Sequence, residues 1–419
     1  MNAAGEGRTI AVIGGGIVGL SCALFLQDEG YRVTLVDPRE PGEGTSFGNA
    51  GVLSASSVLP IATPGTLRKV PAMLFDKTSA LSLRWSYMPR MLPWLARFLL
   101  ASRWSRVERH SQSIRALVDH APAAHDIMIQ RAGAGDLVKA GGWLKLARSA
   151  EGFERATGLE RQFLRRYGVP FEVYEGDVIR EIEPCVGDEV THALHLTANR
   201  RVTSPVEYSR RIARAFLERG GRHLKMPVLG LDLLGGAHGI VVEGERRPFD
   251  TIVIAAGAFS GNLAADAGHR VPLDTERGYH VTLPMPEKAP EYTLQALEPG
   301  FVLAPMLDGL RLTSGVELAG IHAPPDFRRV RRLVPLARRY IRGAREEVLS
   351  EWQGHRPSLP DGLPVIGRAR AHPNVIFAFG HQHIGLTLGP LTGRIVADLV
   401  AGRTPEIDLS PYAADRSFI

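Results

Sequence analysis

Several groups of residues in this 419-residue chain have the types and spacing to do chemistry. The first is Gly14-x-Gly16-x-x-Gly19, with Asp37 standing 18 residues beyond Gly19. The first glycine permits a tight turn after a strand, the second lets backbone approach a pyrophosphate, and the third allows close helix–strand packing. A helix opening at Ile17 and Val18 then presents its N-terminus to the negative charge. Asp37, at the end of the next strand, can accept ribose hydroxyl groups and disfavours a 2′-phosphate. This pattern reads as a dinucleotide site.

At the other end of the chain, Gly380-His381-Gln382-His383-Ile384-Gly385-Leu386-Thr387 reads as a second strand-to-helix turn. Backbone N–H groups there, helped by the helix dipole, suit negative charge at the pyrimidine end of a reduced flavin. The spacing of His381 and His383 invites a metal reading. Neither Cys nor carboxylate adjoins them, and two neighbouring His ligands rarely suffice, so no metal is expected. His383 is read instead as lining the substrate or flavin pocket.

A third group is Gly44-Thr45-Ser46-Phe47-Gly48-Asn49-Ala50-Gly51, too polar and glycine-rich to be core. Its backbone and hydroxyls suit a phosphate and a flavin edge. It also matches G-x-S-x-G, but a hydrolase elbow needs an apolar strand leading into the serine, and Pro41-Gly42-Glu43 precedes it here. Pro38, Leu53, Val228 and the Ala256-Gly257 pair complete the expected cofactor wall. The fourth group is Gly354-His355-Arg356-Pro357 with Pro360-Asp361-Gly362. A guanidinium fixed among rigid turn residues suits bidentate recognition of a carboxylate, and a surface arginine on a turn reads equally well.

The elements that must position these groups follow from periodicity. A strand over 9–13, a helix over 17–27 and a strand over 31–37 surround the first group, and segment 38–65 is a long functional loop. Helical patterns cover 66–133, 150–167 and 205–219, and strands are expected at 142–148, 193–197, 223–228, 238–243, 250–257, 279–283, 300–305 and 309–316. A basic helix spans 327–342, and the chain closes on a strand at 374–379 and a helix at 384–402. The chain leaves a nucleotide-binding fold, builds a second layer and returns. The expected fold is α/β, a Rossmann-type cofactor domain discontinuous in sequence (1–65, 203–262, 351–419). A second α+β substrate domain (66–202, 263–350) is built on a mostly antiparallel sheet.

Length and a 44% hydrophobic, 22% charged composition suit a soluble two-domain globule. Two cysteines, Cys22 and Cys185, give no disulfide framework. The N-terminus lacks a secretory core and no apolar run is long enough to span a bilayer, so a cytoplasmic location is expected. Charge is uneven: nine Lys and Arg face two Asp and Glu between Gly65 and His110, interleaved with Trp85, Trp94, Trp104 and many aliphatics. This is either a membrane-surface or partner-docking face, or an arginine-rich helical pair packed on the protein's own core. Nucleic acid is not an expected partner, because the aromatics sit with aliphatics as buried residues would.

Together, Gly14 to Gly19, Gly48-Asn49-Ala50-Gly51, Gly354-x-Arg356-Pro357 with Pro360-Asp361-Gly362, and Gly380-His381 with Gly385 resemble the D-amino acid oxidase superfamily. The resemblance is nearest to its bacterial D-amino acid dehydrogenases and covers nearly the full length. It implies non-covalent FAD, since neither cysteine matches the tethering residue of the sarcosine oxidase branch. It implies that Arg356 binds a substrate carboxylate. Arg277-Gly278-Tyr279-His280 and Leu386 to Pro390 are similar to enzymes of D-proline and D-hydroxyproline, which would turn Tyr279 and His280 toward the substrate. The activity implied is oxidation of a D-amino or cyclic imino acid at Cα–N by hydride transfer. Electrons would pass to a quinone or other respiratory-chain partner reached through peripheral membrane contact at 65–110. A glycine- or sarcosine-type oxidase using oxygen, and a flavin-dependent tRNA-modification component, are the alternatives.

Overall fold

The computed structural model describes residues 7–65, 81–233 and 238–419. Arg68, Lys69 and the apolar residues 73–75 of the basic segment lie outside these.

The first sheet runs in the order Arg222–Leu224, Arg32–Val36, Thr9–Ile13, Thr251–Ile254, Val375–Phe379, Val365–Arg368. All neighbours are parallel except the last pair. Its central strands read as continuous apolar runs because both faces are covered, one by helices and the other by a small antiparallel sheet with a short helix, and Ile10 to Val12, Ile252 to Ile254 and Val375 to Phe377 are fully buried. Helix Ile17–Asp28 and closing helix Gly385–Val400 pack side by side. Glycine makes that approach feasible: a Cβ at Gly393 would stand 2.6 Å from the Ser21 backbone. Cys22 is buried in this layer, and burial pushes its thiol pKa far up, so it packs rather than reacts.

The second sheet has nine strands. Its path is Ser350–Ser358, Asp274–Leu283, Gly309–Leu318, Phe301–Met306, Thr293–Ala296, Trp143–Ala147, His192–Leu196, Glu172–Glu175, and Leu81–Leu83 pairs with Gly309–Leu318. It is antiparallel except where Thr293–Ala296 meets Trp143–Ala147 and where Leu81–Leu83 joins. A small antiparallel sheet joins Val52–Leu53, Arg200–Val202 and Val138–Lys139.

Four expectations change. Residues 81–83, expected within a helical stretch, form a short strand of the second sheet. Residues 350–358 are an edge strand of the second sheet, not a turn opening the cofactor domain. Arg356-Pro357 reads as a turn because Pro lacks an N–H, yet an edge strand tolerates that loss. The helix expected over 327–342 is a short α-helix, Arg328–Leu333, continued as a 3-10 turn, Val334–Arg339. Pro335 removes a hydrogen-bond donor there. Finally, 223–228 divides into Arg222–Leu224 of the first sheet and a separate strand, Val228–Asp232. The latter joins Gly239–Val242 and Glu245–Pro248 in an antiparallel triplet. The hairpin turn is Glu243-Gly244, both at positive φ, a two-residue turn easily missed without Asn or Asp before the glycine.

The long helix Trp104–Ala132 buries His125, whose Nε2–H donates to the Leu386 and Thr387 carbonyls while Nδ1 accepts from Tyr208. Burial pushes His125 down to about 4, and burial pushes His381 down to about 3. Both stay neutral when folded, whereas the unfolded chain takes up their protons below about pH 6.5. Their contribution to stability is therefore complete above that pH and is lost as pH falls toward their folded values. Thermal melts should show Tm dropping as pH falls from about 7 to about 5, with a shallower slope in His125→Gln. An identical slope in that variant would contradict the assignment.

Candidate active site

A cavity of about 540 Å³ opens where the parallel strands of the first sheet end. Gly14, Gly16, Ile17 and Val18 form one part of its wall, Asp37 and Pro38 the next, and Thr45, Ser46 and Asn49 a third. Val228, Ala256 and Gly257 lie on it, as do Gly380, His381, Gln382, Gly385 and Leu386 of the closing segment. These five residues of the closing segment thus share one cavity with residues more than 300 positions earlier in the chain, whereas His383, expected to line it, does not.

Each glycine of the opening turn has a distinct reason. Gly14 sits at φ 112°, and a Cβ there would lie 2.4 Å from the Ala255 carbonyl oxygen. Gly19 does not touch the cavity; a Cβ on it would lie 1.8 Å from the Gly14 carbonyl oxygen, so it sets helix–strand packing. The first turn of helix Ile17–Asp28 carries no acidic residue, and Ser46 Oγ accepts from Ile17 N–H at 3.0 Å. Asp37 accepts from Gly15 N–H through Oδ2 and from Arg39 N–H through Oδ1, both at 2.8 Å. A carboxylate has about four lone-pair positions, so capacity remains for ribose hydroxyls. At the other end, helix Gly385–Val400 begins without a side-chain cap or an acid in its first turn. Two helix N-termini without an acid in the first turn and one carboxylate on a single cavity wall fit a long dinucleotide with anionic character at two places.

The loop after Asp37 is held from below by a residue not anticipated from sequence. Arg311 is 2% exposed, and its Nη1 donates to the Phe47 and Asn49 carbonyls at 2.9 and 3.0 Å. Asn49 Oδ1 accepts from Gly51 N–H, and Thr45 Oγ1 donates to the His355 carbonyl, tying the loop to the second sheet. Ala50, Gly51 and Leu53 lie behind the cavity rather than on it. Leu53 is core, and a Cβ at Gly51 would lie 2.3 Å from the Val202 carbonyl oxygen. Thr387 is also set back: its hydroxyl accepts from Ser54 N–H at 3.0 Å. Ile384 packs against the core around Leu388.

His381 and His383 turn to different partners. His381 is buried, with Nε2 2.9 Å from Thr392 Oγ1. His383 places Nε2 2.9 Å from Glu276. Among the described residues, no group of three or more His, Cys, Asp or Glu is arranged to hold a metal ion. Gln382 between them adopts φ 47°, and its side-chain amide donates to the Leu359 carbonyl, which holds this uncommon conformation in place.

Arg356 lies flattened over Gly278 on one face of the second sheet, where a Cβ would come within 2.3 Å of the guanidinium; Pro357 lines the cavity and Arg356 stands next to it in the chain without lining it. Its Nη1 donates to the Gly315 carbonyl at 2.8 Å. Among the described residues its other N–H groups take no hydrogen-bond partner. Burial lowers its pKa and Glu276, directly opposite in the strand register, raises it, with burial prevailing.

Tyr279 and His280 do not join Arg356 as a set. Neighbours on a strand point to opposite faces. Tyr279 faces away, edge-on to Phe327, with its hydroxyl bonded to Glu317. His280 shares the face of Arg356 but is 1% exposed and stacks on Trp352, ring centres 5.2 Å apart, with Phe47 beyond. Burial, then the charge of Arg311, pushes it down to about 3, so it is a packed neutral ring.

The chain as a whole is similar to known proteins. A sequence profile described as FAD dependent oxidoreductase matches residues 9–399. A D-amino-acid oxidase of Bradyrhizobium diazoefficiens is 38% identical over 423 residues, covering 98% of this chain and 99% of that protein. The D-amino acid dehydrogenase 2 of Mesorhizobium japonicum is 30% identical, covering 95% of this chain and 98% of its own. Among solved structures, glycine oxidase from Geobacillus kaustophilus superimposes with a TM-score of 0.74 at 22% identity, covering 98% and 99% of the two chains. L-proline dehydrogenase from P. horikoshii does so at 0.73 and 19%, covering 98% and 97%. At those identities the structural likeness speaks for the fold. The chain belongs to the FAD-dependent oxidoreductase family, and its cofactor is FAD.

Proposed function

We propose that this enzyme oxidises the Cα–N bond of a D-amino or cyclic imino acid, with D-proline and cis-4-hydroxy-D-proline the preferred class. The observation that carries this reading is Arg356: a half-buried guanidinium with one backbone partner and, among the described residues, its remaining donors uncommitted. A planar fork of N–H groups matches the two oxygens of a carboxylate in bidentate geometry. Gly14 to Val18, Asp37, the loop 45–49 and the closing turn would hold FAD. When bound, FAD accepts the two electrons that leave Cα. Arg356 fixes the carboxylate, so that orientation rather than covalent chemistry lowers the barrier. The D preference rests on the named relatives, and the proline class on the sequence resemblance at Arg277 to His280 and Leu386 to Pro390, not on contacts of Tyr279 or His280 with the site. An anaerobic panel of D-alanine, glycine, sarcosine, D-proline and cis-4-hydroxy-D-proline tests it: the cyclic imino acids should bleach the flavin fastest. Faster bleaching by glycine or sarcosine would transfer the reading to a glycine-type oxidase.

Electrons then pass to a membrane quinone, and helix Met88–Ala101 supports the route. It buries Met91, Trp94 and Ala101 but leaves Leu92, Leu99 and Leu100 exposed, with Trp85 and Trp104 at its two ends. Arg84, Arg90, Arg97 and Arg103 are exposed around them, and none forms an ion pair among the described residues. Trp and Leu among arginines fit an anionic lipid surface. No helix among the described residues is long and apolar enough to cross a membrane, so the contact is peripheral. Vesicles containing anionic lipid should sediment the protein at low salt, and Leu92→Ser with Leu99→Ser should cut that at least about tenfold without slowing flavin reduction. Equal sedimentation with neutral vesicles would count against the charge argument.

A further inference from the structure

Beside Arg356 lies a carboxylate that the sequence reading did not single out. Glu276 stands directly opposite Arg356 in the antiparallel register and is 5% exposed. Burial pushes its pKa up, but the hydrogen bond from His383 and the charges of His383 and Arg356 more than offset this, and it lies below the ordinary value. Glu276 is therefore ionised and only accepts hydrogen bonds. His383 Nε2, 2.9 Å away, must be the donor. Nε2 is the donor in either protonation state, and whenever the ring is neutral Nδ1 is its lone-pair nitrogen. Among the described residues Nδ1 takes no hydrogen bond, and the His383 side chain is 36% exposed. On the same face of strand Asp274–Leu283, two residues before Glu276, stands Asp274, bonded to the Tyr87 hydroxyl, whereas Arg277 next to Glu276 points to the opposite face.

A fixed anion next to the arginine is a poor design for binding a simple carboxylate, because the two anions repel. It is a good design for a zwitterion, whose ammonium group can face the anion while its carboxylate takes the guanidinium. We propose that Glu276 and His383 form the amine end of the site, Glu276 as a positioning residue and His383 as the proton acceptor through Nδ1. The inference rests on the reading of Arg356 as the carboxylate clamp. The ammonium proton moves to His383 Nδ1, giving an imidazolium whose Nε2–H stays on Glu276. The freed lone pair becomes the C=N bond as the Cα hydrogen leaves with its electron pair to FAD. The iminium product departs, and the imidazolium returns its proton to water while an external acceptor reoxidises the cofactor.

The test compares matched ligands on the holoenzyme: D-proline against cyclopentanecarboxylate, and D-alanine against propionate. Glu276→Gln keeps the shape and removes the charge. Flavin reduction by the amino acid should need on the order of 100-fold more substrate for half-saturation. Calorimetry should show the amine-free acid binding about tenfold more tightly than to the parent, since the competing anion is gone. His383→Asn should remove the acid limb of the pH profile for flavin reduction while leaving binding of the amine-free acid unchanged. Glu276→Asp should restore part of the amino-acid affinity; if the Gln variant does not retain FAD, the Asp and Asn variants carry the same comparison. Weakening of both ligand types alike, or an acid limb that survives in His383→Asn, would overturn the proposal. If Arg356→Leu leaves binding of the amine-free acid intact, the fault lies in the reading of Arg356 instead.

Discussion

Arg356→Leu should yield a protein that still binds FAD yet is reduced by its amino acid about a thousandfold more slowly at low substrate concentration. The magnitude follows from removing one partner of a buried charge pair, which costs about 2–5 kcal/mol. Leucine fills similar space over Gly278 but cannot donate, so the incoming carboxylate meets apolar surface, and the Gly315 carbonyl loses its 2.8 Å partner. Glu276 also loses a neighbouring positive charge, although His383 remains bonded to it. Some loss of thermal stability is therefore expected with the loss of rate. Arg356→Lys should recover only part of the rate, because an ammonium offers a point charge where the guanidinium offers a fork. Stopped-flow flavin reduction, normalised to bound flavin, separates these effects. Unchanged kinetics in the Leu variant would remove Arg356 from the site.

The second large effect is expected at a position that never touches the cofactor. Gly19→Val places carbon where the Gly14 carbonyl oxygen already stands, 1.8 Å from an ideal Cβ. Both atoms belong to the backbone of one tight turn, so neither can swing aside as a side chain would. Helix Ile17–Asp28 must move off the sheet, and its N-terminus then no longer faces the cavity. Overpacking of this kind costs about 1–3 kcal/mol and occasionally more, with loss of the anion site in addition. The purified variant should be colourless after gel filtration and melt well below the parent. A yellow protein with stoichiometric FAD and the parent Tm would show that the turn tolerates a side chain.

How much of this was legible in the sequence depended on whether the signal was local. The opening turn announces itself because glycine spacing, the following helix and Asp37 lie within 24 residues. The closing turn is similarly local, and so are the strands that carry both. Glu276 is not legible, because nothing near it in sequence marks it out. Its significance comes from His383, 107 residues away, and from the pairing of two strands. Arg311 is hidden for the same reason: the carbonyls it holds are more than 260 residues distant. Tyr279 and His280 show a further limit. Alternation requires them to face opposite sides, but only the register says that Arg356 shares its side with Glu276, Gly278 and His280. The glycine and proline around Arg356 suggested a turn, whereas the edge of a sheet accommodates both.

The central claim is that Arg356 holds the carboxylate of an amine whose Cα hydrogen passes to FAD. It is tested most directly by anaerobic mixing of the wild-type holoenzyme with D-proline, L-proline and D-prolinamide, following the visible absorbance of the oxidised flavin. D-proline should bleach it rapidly. L-proline presents its Cα hydrogen elsewhere once the carboxylate is clamped, and D-prolinamide has no charge for the guanidinium to hold, so both should be slower by at least about a hundredfold. Bleaching by the amide at the rate of the acid would contradict the account.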